Sequence, residues 1–357
     1  MAKRTRTQTR KSEHLALCRK RDVEFSSLTT WLEHVCLVHQ AVPVFDPEEA
    51  ALSVKFLGRT LRAPFVIGAM TGGTAEARRI NRDLAAVARD KGVGLALGSQ
   101  RPMIERKSAT RSYLVRDIAP DILLLGNVGF AQAQALRSDD VKRLVEDIGA
   151  DGLCLHLNAA MEMFQREGDR TAKGAPAAVG RLARALGAKL IVKETGCGLS
   201  RETARRLRAK GVRTIDVAGA GGTSWVRVEN LRNARAPKAL SEFEEWGIPT
   251  AASLLEVRGC GVSVIASGGI RTGLDLAKAV ALGAEIGSAA LPVLRAYARG
   301  GAKAVGEWID GLIAGLRAAM TLTGCADLKA LRKAPVVVGG PLKEWMKQRR
   351  LERTRRD

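Results

Sequence analysis

Residues 152–158 read Gly-Leu-Cys-Leu-His-Leu-Asn, and residues 189–195 read Lys-Leu-Ile-Val-Lys-Glu-Thr. Both are short apolar runs that stop abruptly on hydrogen-bonding or charged side chains. A continuous apolar run, rather than an alternating one, marks a strand buried on both faces. The same pattern recurs outward in both directions, at 65–70, 94–99, 121–129, 214–219, 263–269 and 285–292. Ala-rich segments with helical spacing lie between, at 75–91, 130–148, 176–186, 201–209 and 273–282, with Pro176 in the first turn where a helix tolerates it. Strands alternating with helices imply βαβ units and a parallel sheet. Eight units over about 230 residues predict a (β/α)8 TIM barrel. No GxGxxG follows the first strand, which argues against a doubly wound dinucleotide-binding sheet. Before the barrel, 51–61 alternates through Val54 and Phe56 to a turn at Gly58-Arg59, predicting a hairpin that plugs the barrel's lower end. The expected organisation is an N-terminal arm and capping segment (1–50), one barrel (51–340) and a basic tail (341–357). Residues 224–250, with Trp225 and Trp246, form a long insertion after the sixth strand, a common place for a lid.

The composition narrows the function. The 357 residues carry 58 Lys+Arg against 37 Asp+Glu, a net charge of +21. Of this, +6 lies in residues 1–22 and +4 in 343–357, leaving +11 for the middle. The C-terminal run through Lys347, Arg349 and Arg350 reads as a solvated helix end. Aromatic residues make up 4%, too few for base-stacking surfaces, so nucleic acid is not the expected partner. No apolar run approaches the roughly 18 residues of a membrane span. The six cysteines form no CxxC pair and the four histidines have no zinc spacing with them, as expected for a reduced cytoplasmic protein.

In a barrel of this kind the chemistry sits at the C-terminal strand ends. Read there alone, the sequence gives Ala69-Met70-Thr71, Ser99-Gln100-Arg101, Asn127, His156-Leu157-Asn158, Lys193-Glu194, Gly219 to Thr223 and Ser267 to Arg271. The two glycine-rich loops after strands six and seven suit a phosphate, because bare backbone N–H groups approach an anion closely; glycines also serve turns that need positive φ. Lys193 ends an apolar strand, so its cation is placed to stabilise charge on a flavin ring or to polarise a substrate. Glu162, beyond the fourth strand, is a lone carboxylate of the kind that holds Mg²⁺ together with phosphate oxygens, or else a surface ion-pair partner. His156 is either a structural imidazole or a substrate contact.

Taken in order, these motifs resemble the type 2, FMN-dependent isopentenyl-diphosphate isomerases. The resemblance rests on Arg10-Lys11-Ser-Glu-His14, Ala69 to Gly73, Gly98 to Arg101, Asn127-Val-Gly129, His156-Leu157-Asn158 and Glu167-Gly168-Asp169-Arg170. It continues through Val192-Lys193-Glu194, Gly221 to Trp225 and Ser267 to Arg271, and covers roughly residues 8–340. It implies reduced FMN, Mg²⁺, NADPH as reductant, and interconversion of isopentenyl and dimethylallyl diphosphate in a cytoplasmic homo-oligomer. By position, Arg10 and Lys11 would grip the diphosphate, with Ser99, Gln100 and Arg101 also facing substrate. Ala69, Met70, Thr71, Ser99, Asn127, Lys193, Ala218, Thr223, Gly269, Ile270, Arg271, Ala290 and Leu291 would contact FMN. Glu162 would hold Mg²⁺, and His156, Asn158, Lys193 and position 161 would serve catalysis.

Position 161 departs from the pattern: the family has Gln beside the reacting alkene, and this chain has Met161, whose thioether cannot donate or relay a proton. The flavin would then make both proton transfers, or Gln165 or a water would substitute, or activity is slow or directed to another substrate. Ala218, where the family often has Ser, removes one hydrogen bond near the FMN phosphate. The rival on the same barrel is a hydroxy-acid oxidase-like flavoenzyme, but its base histidine near strand seven has no counterpart in 263–271.

Overall fold

The computed structural model describes residues 6–168, 174–233 and 238–351. Eight parallel strands close into a barrel: β1 (Phe65–Ile67), β2 (Gly94–Ala96), β3 (Leu124–Gly129), β4 (Gly152–His156), β5 (Leu190–Lys193), β6 (Thr214–Asp216), β7 (Ser263–Ala266) and β8 (Ile286–Ala289). β8 pairs back onto β1 through Gly287↔Phe65 and Ala289↔Ile67. All eight expected strands are present and in order, yet most are shorter than their apolar runs. The backbone leaves the ladder early and spends the remaining residues on loops around the barrel mouth.

The register runs from strand to strand around the barrel: Gly129 pairs with His156, His156 with Lys193, Lys193 with Asp216, Asp216 with Ile265 and Ile265 with Ile286. Because side chains alternate along a strand, residues two apart point the same way. Val66, Ala96, Leu125, Cys154, Ile191, Ile265 and Ile286 therefore form one inward apolar cluster, joined from below by Phe56 and Leu61. Those two come from the hairpin Val54–Phe56 and Arg59–Leu61. Its turn is Leu57-Gly58 rather than Gly58-Arg59: the Phe56↔Arg59 pairing leaves a two-residue loop with φ of 47° and 80°. That mirror-image turn matches the twist of the flanking strands.

The helix expected over 130–148 is two, Phe130–Ala135 and Ser138–Glu146. The chain is extended at Leu136 and Arg137. Asp139 and Asp140 then favour a fresh helix start against the dipole, and Arg137 pairs with Asp140 at 3.0 Å. The insertion after β6 holds the helix Trp225–Arg232 and a 3-10 segment Lys238–Glu245; the barrel's own helix, Thr250–Val257, follows.

Both chain ends are tied to the barrel. The N-terminal helix Arg6–Lys20 buries Leu15 and Cys18 against Val228, Leu291 and Leu294 above the mouth. The strand Val35–Leu37 pairs antiparallel with Val336–Val338. The C-terminal charge is not simply solvated: after the helix Gly340–Gln348, Arg349 Nε reaches Glu256 at 2.7 Å and its Nη2 reaches Glu202 at 2.6 Å. Trp345 Nε1 also donates to Glu256, at 2.9 Å. The Glu256 side chain is fully buried, and a buried carboxylate requires such partners. Arg353, Arg355 and Arg356 lie outside the described residues. Among the described residues no helix is long and apolar enough to cross a membrane.

Candidate active site

One step above the apolar ring, the inward positions are Gly68, Gly98, Asn127, His156, Lys193, Asp216, Ser267 and Ser288, and all face a single cavity at the C-terminal mouth. Val66, Ala96, Leu125, Cys154 and Ile265 form its floor. Five cations (Arg10, Lys11, Arg101, Lys193, Arg271) line it against three carboxylates (Glu24, Glu162, Asp216). The excess suits an anionic ligand.

His156 Nδ1 lies 2.9 Å from Asn127 Oδ1. An amide oxygen only accepts, so Nδ1 carries the proton and Nε2 is left as an acceptor. Burial, with Lys193, Lys11 and Arg10 adding to it, pushes the imidazole down to about 3, so the ring is neutral. Asp216, on the neighbouring strand to Lys193, accepts from Ser267 Oγ at 2.5 Å and from the Ala218 N–H at 3.1 Å. Burial raises its carboxyl above the usual range while Lys193 opposes that shift. The Lys193-Glu194 pair divides its work. Lys193 enters the cavity, whereas Glu194 Oε2 gathers the N–H groups of Thr195 and Gly196 at 2.6 Å, and that of Cys197, fixing the loop.

The glycine loops after β6 and β7 touch backbone to backbone. A β-carbon on Gly222 would sit 2.5 Å from Gly269 N, and Gly268 and Gly269 hold φ of 92° and 73°. Beside them the helical segment Leu291–Leu322, broken into two helices at Gly300-Gly301, begins at the cavity, and Ala290 at its N-cap makes no side-chain cap. Helix-start N–H groups without a capping side chain are a ready cradle for phosphate. This donor set fits the phosphate of FMN.

The N-terminal helix closes the cavity from above. Lys11 Nζ donates to Ser99 O at 2.8 Å and Gly72 O at 3.0 Å, and burial, aided by Arg10, pulls its ammonium down to about 7. Arg10 Nε is buried with no partner among the described residues. Arg10 lies in the field of Arg101, Glu162, Glu167 and Glu229, and burial lowers its pKa. His14 meets Glu229 at 2.7 Å and stands edge-on to Trp225, ring centroids 5.2 Å apart. Glu24 takes Arg271, and takes Arg295 at 2.6 Å. Arg271 Nη1 also bonds Gly269 O at 2.9 Å, and Arg101 Nε bonds Glu105 at 2.9 Å. After β4, Asn158 Nδ2 donates to Glu162 Oε1 at 2.9 Å, with Met161 beside them on the cavity wall.

Of the residues singled out from sequence, Ala69, Met70, Thr71, Ser99, Ala218, Thr223, Gly269, Ile270 and Leu291 also line this cavity. Gln100 does not. It is fully buried behind the wall, its Oε1 accepting from the Asn127 N–H at 3.0 Å and its Nε2 donating to Leu144 O at 2.7 Å. The turn into the helix Arg101–Glu105 points Ser99 inward and Gln100 away, so Gln100 supports Asn127. Glu167 pairs with Arg232 at 3.1 Å, while Asp169 and Arg170 lie outside the described residues. Asp216, Ser288 and Glu24 also line the cavity and are not among the residues the sequence singles out, whereas His14 belongs to the Arg10-Lys11-Ser-Glu-His14 stretch. Asp216 sits three residues before the polar loop at Gly219 and obeys the strand's inward parity, a signal the sequence carries. Glu24 comes from a distant segment with no local signature. Among the described residues no three His, Cys, Asp or Glu side chains cluster as a metal site.

The FMN-dependent dehydrogenase family model matches residues 125–338. Isopentenyl-diphosphate delta-isomerase of Methanosarcina barkeri is 43% identical over 96% of this chain and 95% of that protein. The Halobacterium salinarum enzyme of the same name is 45% identical over 97% of each, and that of Pyrococcus abyssi 43% identical over 96% and 95%. Among solved structures, mandelate oxidase with (S)-2-phenylpropionate superposes with a TM-score of 0.65 at 20% identity, covering 92% of this chain and 94% of that one, a likeness of fold. Near-full-length identity above 40%, on a barrel of the FMN-dependent dehydrogenase type, places the chain in the isopentenyl-diphosphate delta-isomerase family.

Proposed function

We propose that the protein interconverts isopentenyl and dimethylallyl diphosphate. The observation that carries this reading is the two-poled cavity: an apolar floor of Val66, Leu125 and Ile265 under a rim bearing Arg10, Arg101 and Glu162. An apolar five-carbon unit with a diphosphate head has the same polarity. The reaction adds a proton at the terminal methylene carbon and removes one from the carbon two bonds away, with no net redox change. FMN, when bound in reduced form, supplies an electron-rich ring and proton-transfer sites.

The chain's own groups orient and exclude. Arg10 and Arg101 bind the anion, and the N-terminal helix, latched by Lys11, shuts out water, which strengthens every charge interaction inside. Lys193, between His156 and Asp216 in register, provides the fixed cation under the reacting centre. His156 holds its proton on Nδ1 toward Asn127 and offers Nε2 as an acceptor. It is too weak a base to extract a proton unaided. Met161 moves none. Glu162, a single carboxylate, would hold Mg²⁺ with diphosphate oxygens completing the shell, and NADPH would be the reductant.

Purified protein should be yellow, bleach on reduction, and convert isopentenyl diphosphate when Mg²⁺ is present. Verified holoenzyme that yields no dimethylallyl diphosphate under those conditions would falsify the proposal.

A further inference from the structure

We infer that Gln165 is a ligand-binding residue at the anionic pole of this cavity, its amide Nε2 donating to a diphosphate oxygen. The inference rests on reading the cavity as a diphosphate site. Gln165 is 1% exposed and lies on the cavity wall, and neither Oε1 nor Nε2 has a partner among the described residues. A buried amide with both ends unpaired costs stability, and native structures rarely leave one without a use. Its backbone is pinned: the Gln165 N–H donates to Met161 O at 2.8 Å, and its carbonyl accepts from the Gly168 N–H at 3.0 Å. Gly168 has no room for a side chain, since a β-carbon there would overlap the Glu162 carbonyl. The amide is thus held in place, not left to wander.

Its location follows from Arg10, whose Nε is likewise buried and unpaired. Arg10 feels Glu162 and Glu167, the two carboxylates that bracket Gln165 along the chain. Two orphaned donors at one pole complement an anion with several oxygens, and Oε1 remains to accept from a water in the same oxygen shell.

Gln165→Leu tests this with holoenzyme. Titration followed by flavin absorbance should give dissociation constants for isopentenyl diphosphate and for inorganic pyrophosphate raised about tenfold or more. Flavin content should be unchanged, turnover at saturation should stay within a few fold, and ligand-free thermal stability should be equal or higher, because an unpaired amide has been replaced by an apolar side chain. Gln165→Glu, which keeps the shape and swaps the donor for negative charge, should weaken pyrophosphate further and serves if the leucine variant misfolds. Unchanged affinities with lower thermal stability would show a structural amide and overturn the inference. So would weakened isopentenyl diphosphate with pyrophosphate unaffected, which would move Gln165 to the hydrocarbon end. Wild-type enzyme binding neither compound would overturn the diphosphate reading itself.

Discussion

The lower and upper inward rings of the barrel lie two residues apart on the same strands and have opposite chemistry. Cys154 and His156, Ile191 and Lys193, Ile265 and Ser267 differ by about 6.6 Å of rise. The lower member of each pair is packed among apolar side chains, and the upper faces the cavity. Strand alternation lets one fold separate the work. The lower ring and the hairpin beneath it hold the barrel shut through burial, while the upper ring carries groups whose burial is unfavourable until a ligand meets them. His156 is forced neutral and Asp216 has its carboxyl raised, both by burial. Stability is concentrated below and strain above.

The sharpest way to break that division is from underneath. Phe56 is 4% exposed and anchors the plug, so Phe56→Ala should cost about 3–5 kcal/mol of folding stability. Chemical denaturation should show the loss, while flavin affinity and turnover of the folded fraction stay near wild type. Lost turnover with stability intact would mean the two rings are not separable. The converse change, Lys193→Met, should lower turnover roughly 100- to 1,000-fold, a barrier increase of about 3–4 kcal/mol. Its unfolding midpoint should hold near wild type, since the half-buried ammonium makes one backbone contact, to the Glu194 carbonyl at 2.5 Å, and otherwise faces the cavity. A large drop in that midpoint would make Lys193 structural.

The same contrast explains what the sequence made legible. The lower ring is written in uninterrupted apolar runs such as 190–192, so all eight strands and the helix Ala75–Lys91 could be placed directly. The upper ring was legible where a polar residue ended such a run, as at Asn127, His156 and Lys193. It was missed at Asp216, which looks like an interruption within the run 214–219, and misassigned at Gln100, where a tight turn reverses the side chain's direction. The contacts of Glu24 with Arg271 and of Lys11 with Ser99 span 247 and 88 residues along the chain. Only tertiary folding brings those pairs together, and no local period encodes them. The split of 130–148 was hidden because its apolar spacing continues through Leu136 while the backbone does not.

Acid should expose the strain in the upper ring. His156 titrates at about 3 when folded and at the ordinary 6.5 when unfolded, so between those values the unfolded chain binds the extra proton. Stability should therefore fall as pH drops from 6.5 toward 3, and His156→Gln should flatten that limb in urea midpoints measured across the range. A limb of unchanged slope would place the acid sensitivity elsewhere.

The smallest effect concerns Lys11, which joins the N-terminal helix to the mouth. Its ammonium titrates at about 7 when folded, against 10.5 unfolded, so the unfolded chain holds the extra proton across that window and ligand-free stability should rise with pH there. At pH 8 roughly one Lys11 in ten is protonated before ligand arrives. A diphosphate in the cavity adds negative charge beside it and raises its pKa, so binding should draw in close to one proton at pH 8 and nearly none at pH 5.5. Calorimetry of pyrophosphate binding in buffers of different ionisation enthalpy counts those protons, and comparison with Lys11→Met cancels the protons that belong to the ligand. Equal uptake in both proteins would mean that the bound anion does not sense Lys11, leaving this lysine only its bonds to Ser99 and Gly72 and assigning the upper ring's positive charge to Arg10 and Arg101.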